Sequence, residues 1–180
     1  SVEVGEHRPL ERESALQLTL AQGISRAERM DWVIQKATEL GVTRIVPLLT
    51  ERSVVHLDSG QARKKLQHWR SIAIAACEQS GRNHVPQIEE PGPLLDFLHT
   101  QTAGSRLLLA PDADRRLVDI ASAADPVTVL IGPEGGLDES ERQAALSAGF
   151  VAVRLGPRVL RTETAALSAL AVLQHRLGDL

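Results

Sequence analysis

The sequence predicts an α/β fold: a parallel sheet with helices on both faces. Two observations lead to it. Arg106–Ala110, Val127–Ile131 and Val151–Leu155 are short runs dominated by Leu, Val and Ile, with helical patterns between them. Strands of that kind are buried on both faces, which requires helices above and below a parallel sheet. In the first half, Gly41 and Gly81 stand where helical apolar patterns stop, as glycines that end helices do.

The elements follow in order. Val2 and Val4, then Leu16, Leu18 and Leu20, alternate with polar or charged residues, a period of two that reads as strands. Residues 1–22 are too few for a core of their own and read as the last strands of a preceding β-domain. Ser1 opens the chain without Met, so a segment is expected upstream. Ser25 and Glu28 have capping-box spacing, and Met30, Val33, Ile34, Ala37 and Leu40 form one apolar face, predicting a helix up to Gly41. Arg44–Leu49 reads as a strand. A long helix over 61–79 turns Leu66, Trp69, Ile72, Ala73 and Ala76 inward, and 86–89 reads as a short strand. Beyond Arg106–Ala110, helices are predicted over 114–123, near 138–148, and from 162 to about 177.

Composition bounds the function. The chain has 180 residues, 43% hydrophobic and 24% charged, ordinary for a globular protein. It contains two Trp, two Phe and no Tyr, which disfavours RNA recognition by stacking many bases on aromatic rings. The net charge of −3 confines any nucleic-acid contact to a local patch. No apolar run approaches the roughly 20 residues of a membrane-spanning helix. The lone Cys77 cannot form an internal disulfide, which suits a reducing cytoplasm; its apolar helix face marks it as core. The histidines are scattered, without zinc-ligand spacing, so no metal is expected.

Two loops carry the chemistry. Ligands of open α/β sheets sit beyond the carboxyl ends of the strands. Ile131-Gly132-Pro133-Glu134-Gly135-Gly136-Leu137 leaves one strand there, and its glycines let the backbone approach a ligand. It is neither a P-loop, since no Gly-Lys-Ser/Thr follows, nor a dinucleotide fingerprint, whose glycine spacing differs. A plain strand–helix turn is the alternative reading. Leu155-Gly156-Pro157-Arg158-Val159-Leu160-Arg161-Thr162-Glu163-Thr164-Ala165 leaves the next strand. Thr162 can cap the following helix, and Glu163 suits its positive end. Arg161 is a cation where the helix disfavours one, and a substrate phosphate or polar site would account for it.

The paired loops Gly132–Leu137 and Leu155–Ala165 resemble the signature of the SPOUT methyltransferases. Within them the chain is similar to the RsmE-type 16S ribosomal RNA uridine-N3 methyltransferase family. Lys36-Ala37-Thr38-Glu39-Leu40-Gly41-Val42, Glu51-Arg52-Ser53 and Glu78-Gln79-Ser80-Gly81-Arg82 agree with the same family. The resemblance runs from about residue 25 to the C-terminus. It implies a deep trefoil knot at the C-terminus, S-adenosylmethionine as cofactor, and a homodimer with the active site near the subunit interface. It also implies 16S ribosomal RNA of the small subunit as partner. Family members begin with a small β-barrel that binds RNA. The implied division is therefore remnant strands of that barrel over 1–22 and a SPOUT methyltransferase domain over 23–180.

The resemblance assigns cofactor contacts to Leu130, Gly132, Glu134, Gly136, Leu155, Gly156, Leu160 and Thr162, with Leu109 and Ala110 lining the same pocket. Glu134 either binds a cofactor hydroxyl or is solvated in its loop. Arg161 is the first candidate to act on the substrate, by polarising a uracil carbonyl or holding a phosphate. The alternative is a surface arginine paired with a carboxylate. Glu163 orients Arg161, serves as a base, or stabilises the helix start. Arg82, with Asn83 and His84, forms a polar cluster that is either an RNA phosphate contact or an ordinary loop. Arg63, Lys64, Lys65, His68 and Arg70 read as the solvated face of a helix. Other readings are methylation of another RNA position, base or ribose 2'-hydroxyl, and a non-catalytic nucleotide- or RNA-binding module. An anion-binding α/β enzyme would need a phosphate-binding lysine near the glycines, and none is present.

Overall fold

Parallel pairing joins the strands of the described residues into one seven-stranded sheet. The computed structural model describes residues 5–6, 9–53, 55, 57–100, 103–120 and 126–180. The strands are β1 (Leu18–Gly23), β2 (Arg44–Leu49), β3 (Gln87–Ile88), β4 (Gly92–Pro93), β5 (Ser105–Leu109), β6 (Val127–Ile131) and β7 (Val151–Val153). Their order is β3-β2-β1-β6-β5-β7, with β4 also pairing β2. The helices are α1 (Ala27–Glu39), α2 (Ser59–Ser80), α3 (Leu94–Thr100), α4 (Glu139–Ser147) and α5 (Thr162–Leu177).

The register builds two cores. Leu20 of β1 pairs with Ile45 of β2 and Val129 of β6, and Leu107 of β5 pairs with Val129. That row is covered by Met30, Val33 and Ile34 of α1, Trp69 of α2 and Leu170 of α5. One residue further along, Ala21, Val46, Leu130 and Leu108 make the opposite row, covered by Phe97 of α3 and Ala145 of α4. Helices therefore lie on both faces, as the sequence predicts. Among the described residues, no helix is long and apolar enough to cross a membrane.

Several expectations change. Strand β1 is buried along its whole length and lies between β2 and β6, at the middle of the sheet. The boundary expected at residue 22 thus cuts through a central strand: Leu18 and Leu20 belong to the α/β sheet, while Val2 and Val4 lie outside the described residues. Ser25 and Glu28 form no capping box; Arg26 is the N-cap of α1 without a side-chain cap. The helix predicted over 114–123 is a single 3-10 turn at Leu117–Asp119, and residues 121–123 lie outside the described residues. Helix α3 and strand β4 have no counterpart in the sequence reading; a seven-residue helix carries too few periods to stand out. Cys77 is core, as expected, and burial pushes its thiol up.

The segment before β1 is held by an ion pair. Arg82, with only 4% of its side chain exposed, donates to Glu13 at 2.5 Å and to the carbonyls of Thr38 and Val42 at 2.7 and 3.0 Å. Gly81, at φ 74°, turns the chain out of α2 to bring Arg82 there. Burial pushes the Glu13 carboxyl up, but hydrogen bonds from Arg82 and from the His84 and Asn83 amides outweigh it and hold the group below its usual range. A depressed carboxyl stabilises the fold above its unfolded value, and that contribution is lost as pH falls through the folded value. Glu13→Gln is therefore expected to cost about 3 kcal/mol at pH 7 and to flatten the acid limb below the ordinary carboxylate range. Urea unfolding from pH 7 to pH 3 tests this; an acid limb as steep as wild type would remove Glu13 as its source.

Candidate functional site

A cleft of about 710 Å³ opens beyond the carboxyl ends of β5, β6 and β7. Each strand contributes the loop that follows it, and α1 contributes Arg29. The size suits a nucleoside-scale ligand, since such sites span roughly 300–1,000 Å³.

The floor depends on close backbone approach. A Cβ on Gly23, at the end of β1, would fall 2.5 Å from Pro133 N and 2.6 Å from its Cδ. A Cβ on Gly132 would lie 2.9 Å from the backbone of Gly136 and Leu137. The glycine loop is thus folded on itself and pressed against β1. Gly136 takes φ 69°, which a side chain disfavours. At Gly136 and Gly156, by contrast, a Cβ would meet nothing within 4 Å. Those two glycines leave room in the cleft wall, and this cradle fits a ligand approached by backbone groups.

Three polar groups join the loops beneath the floor. Thr162 Oγ1 donates to Gly132 O at 2.7 Å, and Gln22 Nε2 donates to Thr162 Oγ1 at 2.9 Å. Gln22 Nε2 also lies 3.0 Å from Gly23 O and 3.4 Å from Gly132 O. Gln22 is wholly buried and Thr162 nearly so. Thr162 therefore does not cap α5; Arg161 is the N-cap and lacks a side-chain cap bond. Loop 132–137 is braced from outside by Arg52, whose Nη1 donates to Gly135 O at 3.2 Å. Beside it, Glu141 closes the capping box of α4 with Asp138 and accepts from Glu51 N at 2.8 Å.

The structure brings most of the predicted residues together. Leu109, Ala110, Gly132, Glu134, Gly136, Leu155, Gly156, Leu160, Arg161 and Thr162 all line the cleft. Leu130 does not; it sits on the opposite face of β6 and packs in the core under α3 and α4. Glu163 is also absent from the lining. It is 8% exposed, 3.9 Å from Arg29 Nε, and its Oε2 has no hydrogen-bond partner among the described residues. Arg82 belongs to the Glu13 ion pair, away from the cleft. Asn83 and His84 donate their amides to the same carboxylate, so of the two readings of this cluster these contacts favour the ordinary polar loop.

The cleft also holds groups the sequence reading missed. Arg142 of α4 pairs with Asp112 at 2.6 Å, and this hydrogen bond holds the Asp112 carboxyl below its usual range. Arg154 donates to the carbonyls of Ala113 and Asp114. Glu134 accepts from Arg26 N, the N-cap amide of α1, at 3.2 Å and from Arg29 Nη1 at 3.1 Å. Arg158 and Arg161 line the cleft with no ion pair among the described residues, and Val159 between them is 81% exposed. The cleft thus has a neutral backbone floor and a cationic mouth. It can seat a nucleoside while holding a polyanion at its edge. Among the described residues no group of His, Cys, Asp and Glu is placed to hold a metal.

Residues 12–174 match the model of the RNA methyltransferase domain family. The Ribosomal RNA small subunit methyltransferase E of Buchnera aphidicola is 38% identical over 169 residues, covering 93% of this chain and 69% of that protein. The protein of the same name from Bacillus subtilis is 34% identical over 174 residues, covering 92% and 68%. The crystal structure of a Ribosomal RNA small subunit methyltransferase E from Neisseria gonorrhoeae bound to S-adenosyl methionine superposes with a TM-score of 0.90. It is 42% identical and covers 96% of this chain and 71% of that one.

Thr162→Val keeps the shape at the base of the cleft and removes the hydroxyl that links both loops. It is expected to cost about 2 kcal/mol, because buried polar partners lose their bond. Thr164→Val, on an exposed position of the same helix turn, is expected to stay within about 0.5 kcal/mol. Denaturant unfolding of the two variants makes the comparison; equal costs would show that the linkage is energetically idle.

Proposed function

We infer the reaction from the family: the chain belongs to the RNA methyltransferases, and within them to the small-subunit ribosomal RNA methyltransferases E. It transfers a methyl group from S-adenosylmethionine to small-subunit ribosomal RNA, and the acceptor we propose is N3 of a uridine in 16S ribosomal RNA. The observation that carries this reading is the cleft itself. Both loops that resemble the family signature converge on it, in a chain 42% identical to a relative solved with S-adenosyl methionine. The knotted C-terminal segment, the homodimer and the cytoplasmic setting are part of the same proposal.

S-adenosylmethionine, when bound, supplies an electrophilic methyl group. The chain's residues supply position and charge. Backbone groups of Gly132, Gly136, Leu155, Gly156 and Leu160 hold the cofactor, and Leu109 and Ala110 line the wall beside it. Uridine N3 carries a proton at neutral pH, so transfer needs that proton lost and the resulting charge stabilised. Arg161 stands at the cleft edge with no ion pair among the described residues, and its guanidinium suits a uracil oxygen or the target phosphate. Glu163 lies behind Arg29 rather than in the cleft, so an orienting role is the one assigned to it. Alignment of the two reactants accounts for a large part of the rate, about 7–11 kcal/mol where geometry is well held.

Calorimetric titration is expected to show saturable binding of S-adenosylmethionine without comparable binding of ATP. Arg161→Ala is expected to keep that affinity and lose about 100-fold in methyl transfer to unmodified small-subunit ribosomal RNA. Full activity in the variant would remove Arg161 from the mechanism. Absence of cofactor binding by the folded protein would remove the methyltransferase reading. Mapping of the methylated position tests uridine N3 against other sites.

A further inference from the structure

We propose that Arg29 is an oxyanion-binding residue of the cleft, held in position by Glu134 and Glu163; the proposal rests on the methyltransferase reading of the same site. Arg29 comes from α1, an element that contributes neither signature loop, yet its side chain lines the cleft and is 39% exposed. Its Nη1 is 3.1 Å from Glu134 and its Nε 3.9 Å from Glu163. Its Nη2 makes no hydrogen bond among the described residues. A guanidinium held at Nη1 and flanked at Nε by carboxylates keeps Nη2, the shared prong of its two forks, open to an incoming oxyanion.

Electrostatics decides whether that fork attracts an anion. Two carboxylates beside one arginine would cancel it if nothing else acted on them. Both lie at helix N-termini: Glu134 accepts from the Arg26 amide at the start of α1, and Glu163 sits in the first turn of α5. Each terminus carries about half a positive charge. Arg158 and Arg161 add two cations at the same cleft. The local field is therefore positive, with Arg29 as its most constrained member. The other two cleft arginines are committed, Arg142 to Asp112 and Arg154 to backbone carbonyls.

Glu163 explains why Arg29 stays. A buried carboxylate with one oxygen lacking a partner is costly unless a cation stands by. If a ligand hydroxyl engages Glu134, the Glu163 charge still retains Arg29 at the cleft. The oxyanion has two chemical sources, a phosphate of the RNA or the carboxylate of the cofactor.

The experiment separates them. Arg29→Lys and the double variant Arg29→Ala/Glu163→Gln, which leaves no unpaired buried charge, are checked for folding by thermal unfolding. S-adenosylmethionine affinity is measured by calorimetry, and affinity for unmodified small-subunit ribosomal RNA across a salt series. An RNA phosphate predicts about tenfold weaker RNA binding and a log K against log salt slope shallower by about 1, with cofactor affinity kept within about twofold. A cofactor carboxylate predicts about tenfold weaker cofactor binding with the RNA slope unchanged. If neither quantity moves in the folded variants, Arg29 binds no oxyanion. The positioning role of Glu163 predicts that Arg29→Ala weakens binding less in a Glu163→Gln background than alone; additive effects would remove it. A wild-type protein that binds no cofactor would defeat the methyltransferase reading separately, because the RNA salt slope still reports on Arg29.

Discussion

The hydroxyl of Thr162, set between the Gln22 amide and the Gly132 carbonyl, is the contact on which the cleft depends. It joins three parts of the chain that meet nowhere else in sequence: the end of β1, the loop after β6 and the first residue of α5. Sheet pairing sets the end of β1 beside the end of β6, at Gln22 and Ile131, but leaves the loop after β6 and the start of α5 to be joined to them. A buried hydrogen-bonded cluster does so, because each unsatisfied member would cost far more than a satisfied one gains. The price is one orphan, Gln22 Oε1, which has no partner among the described residues.

Glycine placement follows from the same constraint. Gly23 and Gly132 are required because neighbouring backbone occupies the space of a side chain. Gly136 and Gly156 face open space instead, one with a positive φ and both on the cleft wall. The loop therefore contains glycines that build it and glycines that leave its surface bare. Sequence alone shows the glycines as a group and does not sort them into the two kinds.

That distinction marks how far the sequence could be read. Strands β2 and β6 follow directly from apolar runs, and α1 and α2 from a 3.6-residue period ended by Gly41 and Gly81. The two loops were legible as a site because a strand's carboxyl end and unusual glycine content coincide. Strand β1 departs from its sequence pattern for a physical reason: Gln17 and Thr19 between Leu16, Leu18 and Leu20 give the alternation of a half-exposed strand, while in the fold Thr19 is buried and β1 is covered along its whole length. Arg82 was misassigned because its acid, Glu13, lies in a segment whose position no local pattern predicts. Arg29 was invisible for the same reason. Its neighbours Glu134 and Glu163 are remote in sequence, and nothing within one helix turn marks it.

Charge is the last link between fold and function. A chain with net charge −3 does not attract RNA as a whole, so attraction must come from where its cations are left unpaired. The fold spends Arg82 on Glu13, Arg44 on Glu89 and Arg142 on Asp112, all as close pairs. At the cleft mouth Arg158 and Arg161 have no ion pair among the described residues, and Arg29 is paired only in part. The carboxylates beside Arg29 are offset by two helix termini, so acids that fix the geometry do not erase the field. Positive charge is thereby kept at the edge of a neutral, glycine-lined floor. Under the proposed reading, that edge is where an RNA strand meets the place a base can enter.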